Sequence, residues 1–473
     1  MLPTFKLIRP TTVAEAASEL ERLGDSAKLY AGGAELALLM RHGLVDPEYL
    51  IDIKGIPELG RIAANGSAVT IGACATHHRI ERDPVVRAQL PAFAYAESQV
   101  ANIRVRAQGT LGGNLCFNDP HSDPGTALLI HEATVTVANG SAQRQMPLED
   151  FLGEMYATAL EPDELLVSVD APLLPEGWGS GYHRVHRYQR PTLGVAAAAQ
   201  FAGGRIEGVR LAVGCVSAKP IRLRDLEREI LGADIQSARR LIQERKANLR
   251  ELLQPVDDLL GSAAYKLYMT QVLLGRALED IGENKRFKFQ GPRFKEEAKT
   301  SGPRPATRNL KPETRISISL SVNGAAWEGE IPVEETLLDF LRQRLGLTGA
   351  KRSCESEVCG ACTVMVDGLP VSSCSYLAFE AAGKSVTTVE GLAHGDELDP
   401  LQQGFIRHLG AQCGYCTAGQ LMAAKALLLD NPSPDREQIA EWLRGNICRC
   451  GAYVGIEKAV LETSGQAIGG DGK

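Results

Sequence analysis

No apolar run in the 473-residue chain approaches the ~20 residues that a membrane-spanning helix needs. The opening residues, Met1-Leu2-Pro3-Thr4-Phe5-Lys6, lack the basic-then-apolar pattern of a secretory signal, and no twin arginine precedes them. The expectation is a cytoplasmic chain with no membrane span. Positive charge is not in excess: 51 Lys and Arg against 58 Asp and Glu leave a net charge of −7, which argues against nucleic acid as the partner. Cysteine is scarce before position 354, where only Cys74, Cys116 and Cys215 occur. These three read as small buried hydrophobes rather than ligands. What remains is an ordinary globular composition, 44% apolar and 23% charged, long enough for about three domains.

The other eight cysteines fall into two sets of four. Cys354, Cys359 and Cys362 are spaced C-x4-C-x2-C, and Cys374 follows after eleven residues. This is the plant-type ferredoxin spacing for a [2Fe–2S] cluster. A zinc ribbon, the bland alternative, pairs two C-x2-C knuckles around one ion and fits the x4 gap poorly. Cys413 and Cys416 then form C-x2-C, and thirty-one residues later Cys448 and Cys450 form C-x-C. Alone, C-x2-C would also suit a redox dithiol or a zinc knuckle. Beside a plant-type set it reads as a second [2Fe–2S] site, and two clusters point to electron transfer.

Residues from about 314 to 463 resemble the iron–sulfur subunit of the molybdenum hydroxylases, the xanthine dehydrogenase, aldehyde oxidase and carbon monoxide dehydrogenase family. The likeness is carried by Gly349-Ala350-Lys351-Arg352-Ser353-Cys354, Cys359-Gly360-Ala361-Cys362-Thr363-Val364, Gln412-Cys413-Gly414-Tyr415-Cys416-Thr417 and Gly445-Asn446-Ile447-Cys448-Arg449-Cys450. Ala418 stands where the family usually has proline, and Gly451-Ala452 where many members read Thr-Gly. Neither departure touches a ligand.

Two glycine-rich stretches lie earlier. Leu29-Tyr30-Ala31-Gly32-Gly33-Ala34-Glu35-Leu36 joins a short strand to a helix, a geometry that can cradle phosphate. It lacks the G-x-G-x-x-G spacing of a Rossmann loop. Thr110-Leu111-Gly112-Gly113-Asn114 is the second, and two such loops suit a long dinucleotide gripped from both sides. Residues 1–282 resemble the flavoprotein subunit of the same family, through these loops, Ile71-Gly72-Ala73 with Thr76, Asp123, and Leu160 to Leu166. The resemblance implies that both loops hold the FAD pyrophosphate. It also implies Asp123 near the ribityl or adenosine portion and Leu166 beside the flavin. Many members place a lysine near the flavin, but Tyr182 to Leu193 contains none, and its arginines receive no role. The adjacent His77-His78 read as a polar surface feature, and so does His121, although its place beside the second glycine loop also allows it as a neighbour of the flavin.

Along the chain, Thr11 to Leu23 is an expected helix capped by Thr11 or Thr12, and Ile206 to Val216 a strand hairpin using Gly208 and Gly214. Ala238 to Glu251 and Glu334 to Gly346 are expected helices, and Asn323-Gly324 a hairpin turn. The expected fold is multidomain α+β. An FAD-binding domain of the molybdopterin dehydrogenase type occupies 1–176 and an α+β flavoprotein C-terminal domain 177–283. A basic linker at 284–313 leads to a β-grasp [2Fe–2S] ferredoxin domain at 314–392. An all-α [2Fe–2S]-binding domain at 393–463 and a flexible tail at 464–473 complete the chain.

The resemblance implies an electron-transfer subunit of a xanthine dehydrogenase-like molybdenum hydroxylase, with FAD and two [2Fe–2S] clusters. Molybdopterin is expected on a separate catalytic partner subunit, because no stretch remains here to bind it. The expected assembly is a dimer of heterodimers that passes electrons to NAD or another acceptor. The alternatives are a stand-alone FAD/[2Fe–2S] NAD(P)H reductase, an assembly protein, or a subunit of an aldehyde, carbon monoxide or aryl-CoA oxidoreductase.

Overall fold

The structure is a computed structural model, and it describes residues 2–185, 190–283 and 311–466. Strands Lys6–Ile8, Tyr49–Asp52 and Ala27–Tyr30 pair in that order as a parallel sheet. Helix Val13–Leu23 packs on it by Val13, Ala16, Ala17 and Leu20, the i, i+3, i+4, i+7 stripe of an amphipathic helix. Thr12 is its cap: the Oγ accepts the Glu15 N–H at 3.1 Å. A second sheet is antiparallel, in the order Ile62–Ala64, Ala68–Gly72, Leu165–Pro172, Thr134–Ala138, Gln143–Pro147. Short helices between Pro84 and Leu129 bury their apolar side chains against it.

The next unit departs from two expectations. Ile206 to Val216 is not a hairpin but lies mostly in one strand, Arg205–Gly214, paired with Leu193–Ala202. The turn is Gly203-Gly204, where φ is +55° and +77°; the strand glycines 208 and 214 have no such backbone. The single helix expected over Ala238 to Glu251 is two, Ile235–Glu244 and Lys246–Leu253, divided at Arg245. Both pack with the long helix Ala263–Gly282, which starts at the Ser262 cap and covers the sheet.

Beyond position 311 a five-stranded sheet has the order Ala325–Pro332, Arg315–Val322, Ser385–Thr387, Thr363–Val366, Leu369–Ser372. The second and third of these are parallel, as a β-grasp sheet requires. Ile316, Ile318, Leu320 and Val322 are buried and alternate with Arg315, Ser317 and Ser319, which are exposed. Asn323 and Gly324 make the expected turn, with φ of +51° and +82°. The helix expected over Glu334 to Gly346 is shorter: Leu337–Asp339 runs into a wider turn, Phe340–Arg344, after the Thr336 cap. Four helices follow, Pro400–Arg407, Thr417–Asp430, Arg436–Leu443 and Tyr453–Thr463, around a core that includes Phe405, Trp442 and Ile456. Asp399 with Gln402, and Asp435 with Gln438, form capping boxes at two of them.

These units share cores. Leu2, Phe5, Leu7, Tyr30, Met40 and Leu50 pack in one cluster with Ile316, Phe340, Val364 and Phe379. Leu7 and Glu313 exchange backbone hydrogen bonds of 2.7 and 2.9 Å, so the first strand meets the chain that enters the ferredoxin-like sheet. Ile103 of the flavoprotein part belongs to the helical core. No helix among the described residues is long and apolar enough to cross a membrane. Most of the expected linker, most of the expected tail and residues 186–189 lie outside the described residues.

Candidate redox site

The two glycine loops touch. A Cβ on Gly32 would fall 2.5 Å from the Gln108 carbonyl oxygen and 2.8 Å from the Gly109 Cα. Strand Ala27–Tyr30 delivers the first loop and helix Leu36–Arg41 leaves it. The second loop opens helix Leu111–Phe117, where the Thr110 Oγ accepts the Gly113 N–H at 3.1 Å. Between them lies a cavity of about 1060 Å³. Leu29, Ala31, Gly32, Gly33, Ala34, Glu35, Leu36, Thr110, Gly112, Gly113, Asn114, Asp123 and Leu166 line it.

Two expected residues do not. Tyr30 is 1% exposed and its hydroxyl donates to Glu380 Oε1 at 2.5 Å, which ties the first loop to the ferredoxin-like sheet. Leu111 is wholly buried in the flavoprotein core. In each case strand or helix geometry turns a neighbour of a loop residue away from the cavity.

Asp123 is buried, accepts the Tyr182 hydroxyl at 2.7 Å and pairs with Arg184 Nη1 at 2.9 Å. Burial raises its carboxyl above the usual range, and the Arg184 cation opposes that. Arg184 also lines the cavity. Sequence reading missed it, yet the signal was present: in strand Gly179–Val185, Tyr182 and Arg184 share one face. Arg190, also on the cavity, pairs with Asp119 and with Glu35 of the first loop.

His77 and His78 are not a surface feature: they are 3% and 7% exposed. Thr76 caps helix His77–Arg82 and turns both rings inward. His77 Nδ1 lies 2.5 Å from the buried Glu97, its backbone N–H donates to the Gly109 carbonyl at 3.0 Å, and it lines the cavity. His78 meets Glu81 at 3.0 Å, and Arg106 bridges Glu81 to Glu441 of the helical unit. Although burial opposes it, Arg106 and His78 hold Glu81 down to about 2. His121, read like His77 and His78 as a polar surface feature, lines the cavity, its ring nitrogens 2.9 Å from the Pro191 carbonyl and 3.3 Å from Asp258. Cys215 is buried, while Cys74 and Cys116 are half-buried against cores; burial pushes the latter two thiols up to about 12.

The eight other cysteines meet in pairs. Cys354 faces Cys359, and that neighbour holds its thiol down to about 4. Ser356 and Cys359 add backbone N–H groups 3.4 and 3.3 Å from the Cys354 sulfur. Cys374 faces Cys362 in the same way and lowers its thiol. In the second set Cys413, held low by the Tyr415 N–H, meets Cys450, and Cys416, raised by burial to about 12, meets Cys448. The Ala452 N–H lies 3.4 Å from the Cys448 sulfur. Cys416 stands at the N-terminal end of helix Thr417–Asp430, and Cys448 and Cys450 precede Tyr453–Thr463. Among the described residues no three Cys, His, Asp or Glu side chains close around a single ion. Two pairs suit a binuclear centre, in which each iron takes two thiolates and shares bridging sulfides.

Loop residues beside both sets reach the cavity. Ser356, Glu357 and Val358 of the first cysteine loop form part of its wall, as do Arg444, Gly445 and Ile447 ahead of Cys448. Burial pushes the Glu357 carboxyl up to about 8. Gly360, at φ +72°, has no room for a side chain, because a Cβ would meet Arg104 and Asn446 at 2.6 and 2.7 Å. In the second set Cys413 and Cys450 are exposed, as are Tyr415 and Tyr453. The cavity with its glycine cradle fits a dinucleotide, and the thiol pairs fit two [2Fe–2S] clusters.

Four family models match in tandem. They are the FAD binding domain in molybdopterin dehydrogenase over residues 3–174 and the CO dehydrogenase flavoprotein C-terminal domain over 183–281. The 2Fe-2S iron-sulfur cluster binding domain follows over 320–386, and the [2Fe-2S] binding domain over 388–461. The small subunit of nicotine 6-hydroxylase from Paenarthrobacter nicotinovorans is 49% identical over 155 residues, 33% of this chain and 93% of that protein. The medium chain of carbon monoxide dehydrogenase from Hydrogenophaga pseudoflava is 32% identical over 278 residues, 58% of this chain and 96% of that one. A solved chain of that enzyme superposes with a TM-score of 0.56, covering 59% of this chain and 98% of its own length. Quinoline 2-oxidoreductase from Pseudomonas putida 86 gives 0.56 at 26% identity, over 61% of this chain and 100% of that one. Relatives that are separate small and medium subunits thus match different parts of one polypeptide, and the chain belongs to the molybdenum hydroxylase family as a fused oxidoreductase subunit that carries FAD and two [2Fe–2S] clusters.

Proposed function

We propose that this chain is the electron-transfer subunit of a heteromeric molybdenum hydroxylase. It takes electrons from a molybdopterin-binding partner subunit and delivers them to an acceptor such as NAD. FAD and the two clusters supply the one- and two-electron chemistry. The route runs from the Cys413, Cys416, Cys448, Cys450 site to the Cys354, Cys359, Cys362, Cys374 site and then to the flavin cavity. The observation that carries this reading is the shared wall, in which Ser356, Glu357 and Val358 line the cavity that both glycine loops enclose. The exposed rim at Cys413, Cys450 and Tyr415 supports the second set as the side that faces the partner.

The protein's own work is placement. Backbone N–H groups and small residues at the two loops accommodate a pyrophosphate, and Asp123 with Arg184 fixes the cavity floor. Asn446 donates to the Gly360 carbonyl at 3.1 Å, and Cys362 and Cys374 are buried.

The test is native anaerobic purification with metal analysis. About four irons, four labile sulfides and one FAD per chain are expected, with molybdenum on a second polypeptide. Zinc in place of iron would defeat the assignment, and hydroxylation by the isolated, molybdenum-free chain would overturn it. For the substrate we infer an N-heteroaromatic compound, supported by the nicotine and quinoline enzymes among the relatives. Turnover of aldehydes or carbon monoxide by the purified complex, with none of purines, pyridines or quinolines, would exclude that class.

A further inference from the structure

Two arginines from the flavoprotein part reach into the first cysteine loop from elements that flank the glycine loops. Arg41 ends helix Leu36–Arg41, which leaves the first loop, and Arg104 sits on helix Ile103–Gln108, which enters the second. Arg104 is 1% exposed. Its Nε donates to Ser372 Oγ at 3.0 Å, and its Nη2 to the carbonyls of Glu357 at 3.0 Å, Gly445 at 2.7 Å and, more weakly, Val358 at 3.5 Å. Its Nη1 donates to Asn446 Oδ1. Arg41 donates to the Glu355 carbonyl at 2.6 Å and to the Cys374 carbonyl.

We infer that Arg41 and Arg104 are positioning residues that raise the reduction potential of the cluster held by Cys354, Cys359, Cys362 and Cys374. The inference rests on that ligand assignment, and two effects carry it. The first is charge. Arg104 lies within electrostatic reach of Cys362, Cys359 and Cys374, and Arg41 of Cys374. A guanidinium stays charged when buried, and a reduced cluster carries one more negative charge than an oxidised one. A fixed cation in a poorly solvated site therefore favours the reduced form.

The second effect acts through the peptides. The Glu355 carbonyl that Arg41 holds belongs to the same peptide as the Ser356 N–H, which points at the Cys354 sulfur. The Val358 carbonyl beside Arg104 belongs to the peptide of the Cys359 N–H, which points at that same sulfur. Holding each carbonyl aligns and polarises the N–H at its other end, and hydrogen bonds to a ligand sulfur raise a cluster's potential. Neither arginine is a ligand. The opposing charge of Glu355, 3.8 Å from Arg41, weakens that side more than the Arg104 side.

The test is an EPR-monitored redox titration of the full chain carrying Arg41→Met, Arg104→Met, Arg41→Lys or Arg104→Lys. Iron and FAD are quantified first, and a Cys448→Ser variant identifies which signal belongs to which cluster. Both Met variants should shift the midpoint of the Cys354-site cluster to lower potential, Arg104→Met the more. The other cluster should move less, and each Lys variant should recover part of the shift. An unchanged midpoint in a Met variant that retains both EPR signals would overturn the inference, since a purely structural contact would leave it there. If Arg104→Met fails to assemble, Arg41→Met decides, because Arg41 is the less buried of the two and holds the loop by two hydrogen bonds. Zinc, or no EPR signal, in the parent chain would remove the ligand assignment instead.

Discussion

Gly32 rests on Gly109, with no space for a methyl group between the two backbones. The contact makes one cradle of two loops far apart in sequence. Gly32→Val should push them apart and abolish FAD binding, while Gly113→Val should do so by filling the cavity side, where only Thr110 Oγ lies near. Iron content should stay near the parent value in both. Stoichiometric FAD in both purified variants would show that the loops do not hold it.

Arg184 and Asp123 form a buried pair on the cavity wall. Arg184→Met strands a buried carboxylate, an effect that costs about 3–5 kcal/mol for pairs of this kind. Weaker FAD retention and a lower melting temperature are expected, with Arg184→Lys intermediate. Thermal unfolding followed by flavin fluorescence checks both, and a variant indistinguishable from the parent would remove the pair from the flavin site.

Cys448 is buried and lies in the set closer to the proposed partner face. Cys448→Ser should remove one EPR signal and slow substrate-driven flavin reduction in the complex by at least tenfold, an order typical of altered metal ligation. Reduction of the flavin from the acceptor side should survive. Unchanged substrate-driven reduction in a variant shown to lack that signal would contradict the route.

His131 is wholly buried, its Nδ1 3.0 Å from the Pro172 carbonyl. Burial lowers its pKa from 6.5 to about 4. The unfolded chain therefore binds the proton first, and stability falls as pH drops from about 6.5 to about 4, by up to about 3 kcal/mol. His131→Asn, whose amide can donate to the same carbonyl, should flatten this part of the pH–stability curve. A curve of unchanged slope would assign the loss to other groups.

Much of the site was legible because its chemistry is local. Cysteine spacing and glycine pairs lie within a few residues of one another, and the structure gathers the eight thiols in pairs and the two glycine loops face to face. A helix start was legible too, where Thr12 caps it. The misses share another cause. His77 and His78 are polar by composition, and only Glu97 and Glu81, brought in by folding, make their burial tolerable. Arg41 and Arg104 act on partners from 253 to 342 positions away, a separation no window of sequence can show. The strand Arg205–Gly214 was misread because two adjacent glycines, not the single ones inside it, make the turn.

The wall that Ser356, Glu357, Val358, Arg444 and Ile447 contribute has a consequence in time. A chain leaves the ribosome N-terminus first, and domains fold as they emerge. Both glycine loops are therefore made long before the residues that close the cavity above them. The nascent flavoprotein part presents an open cleft until residues 356–358 and 444–447 have emerged, and only then does the cavity gain its full wall.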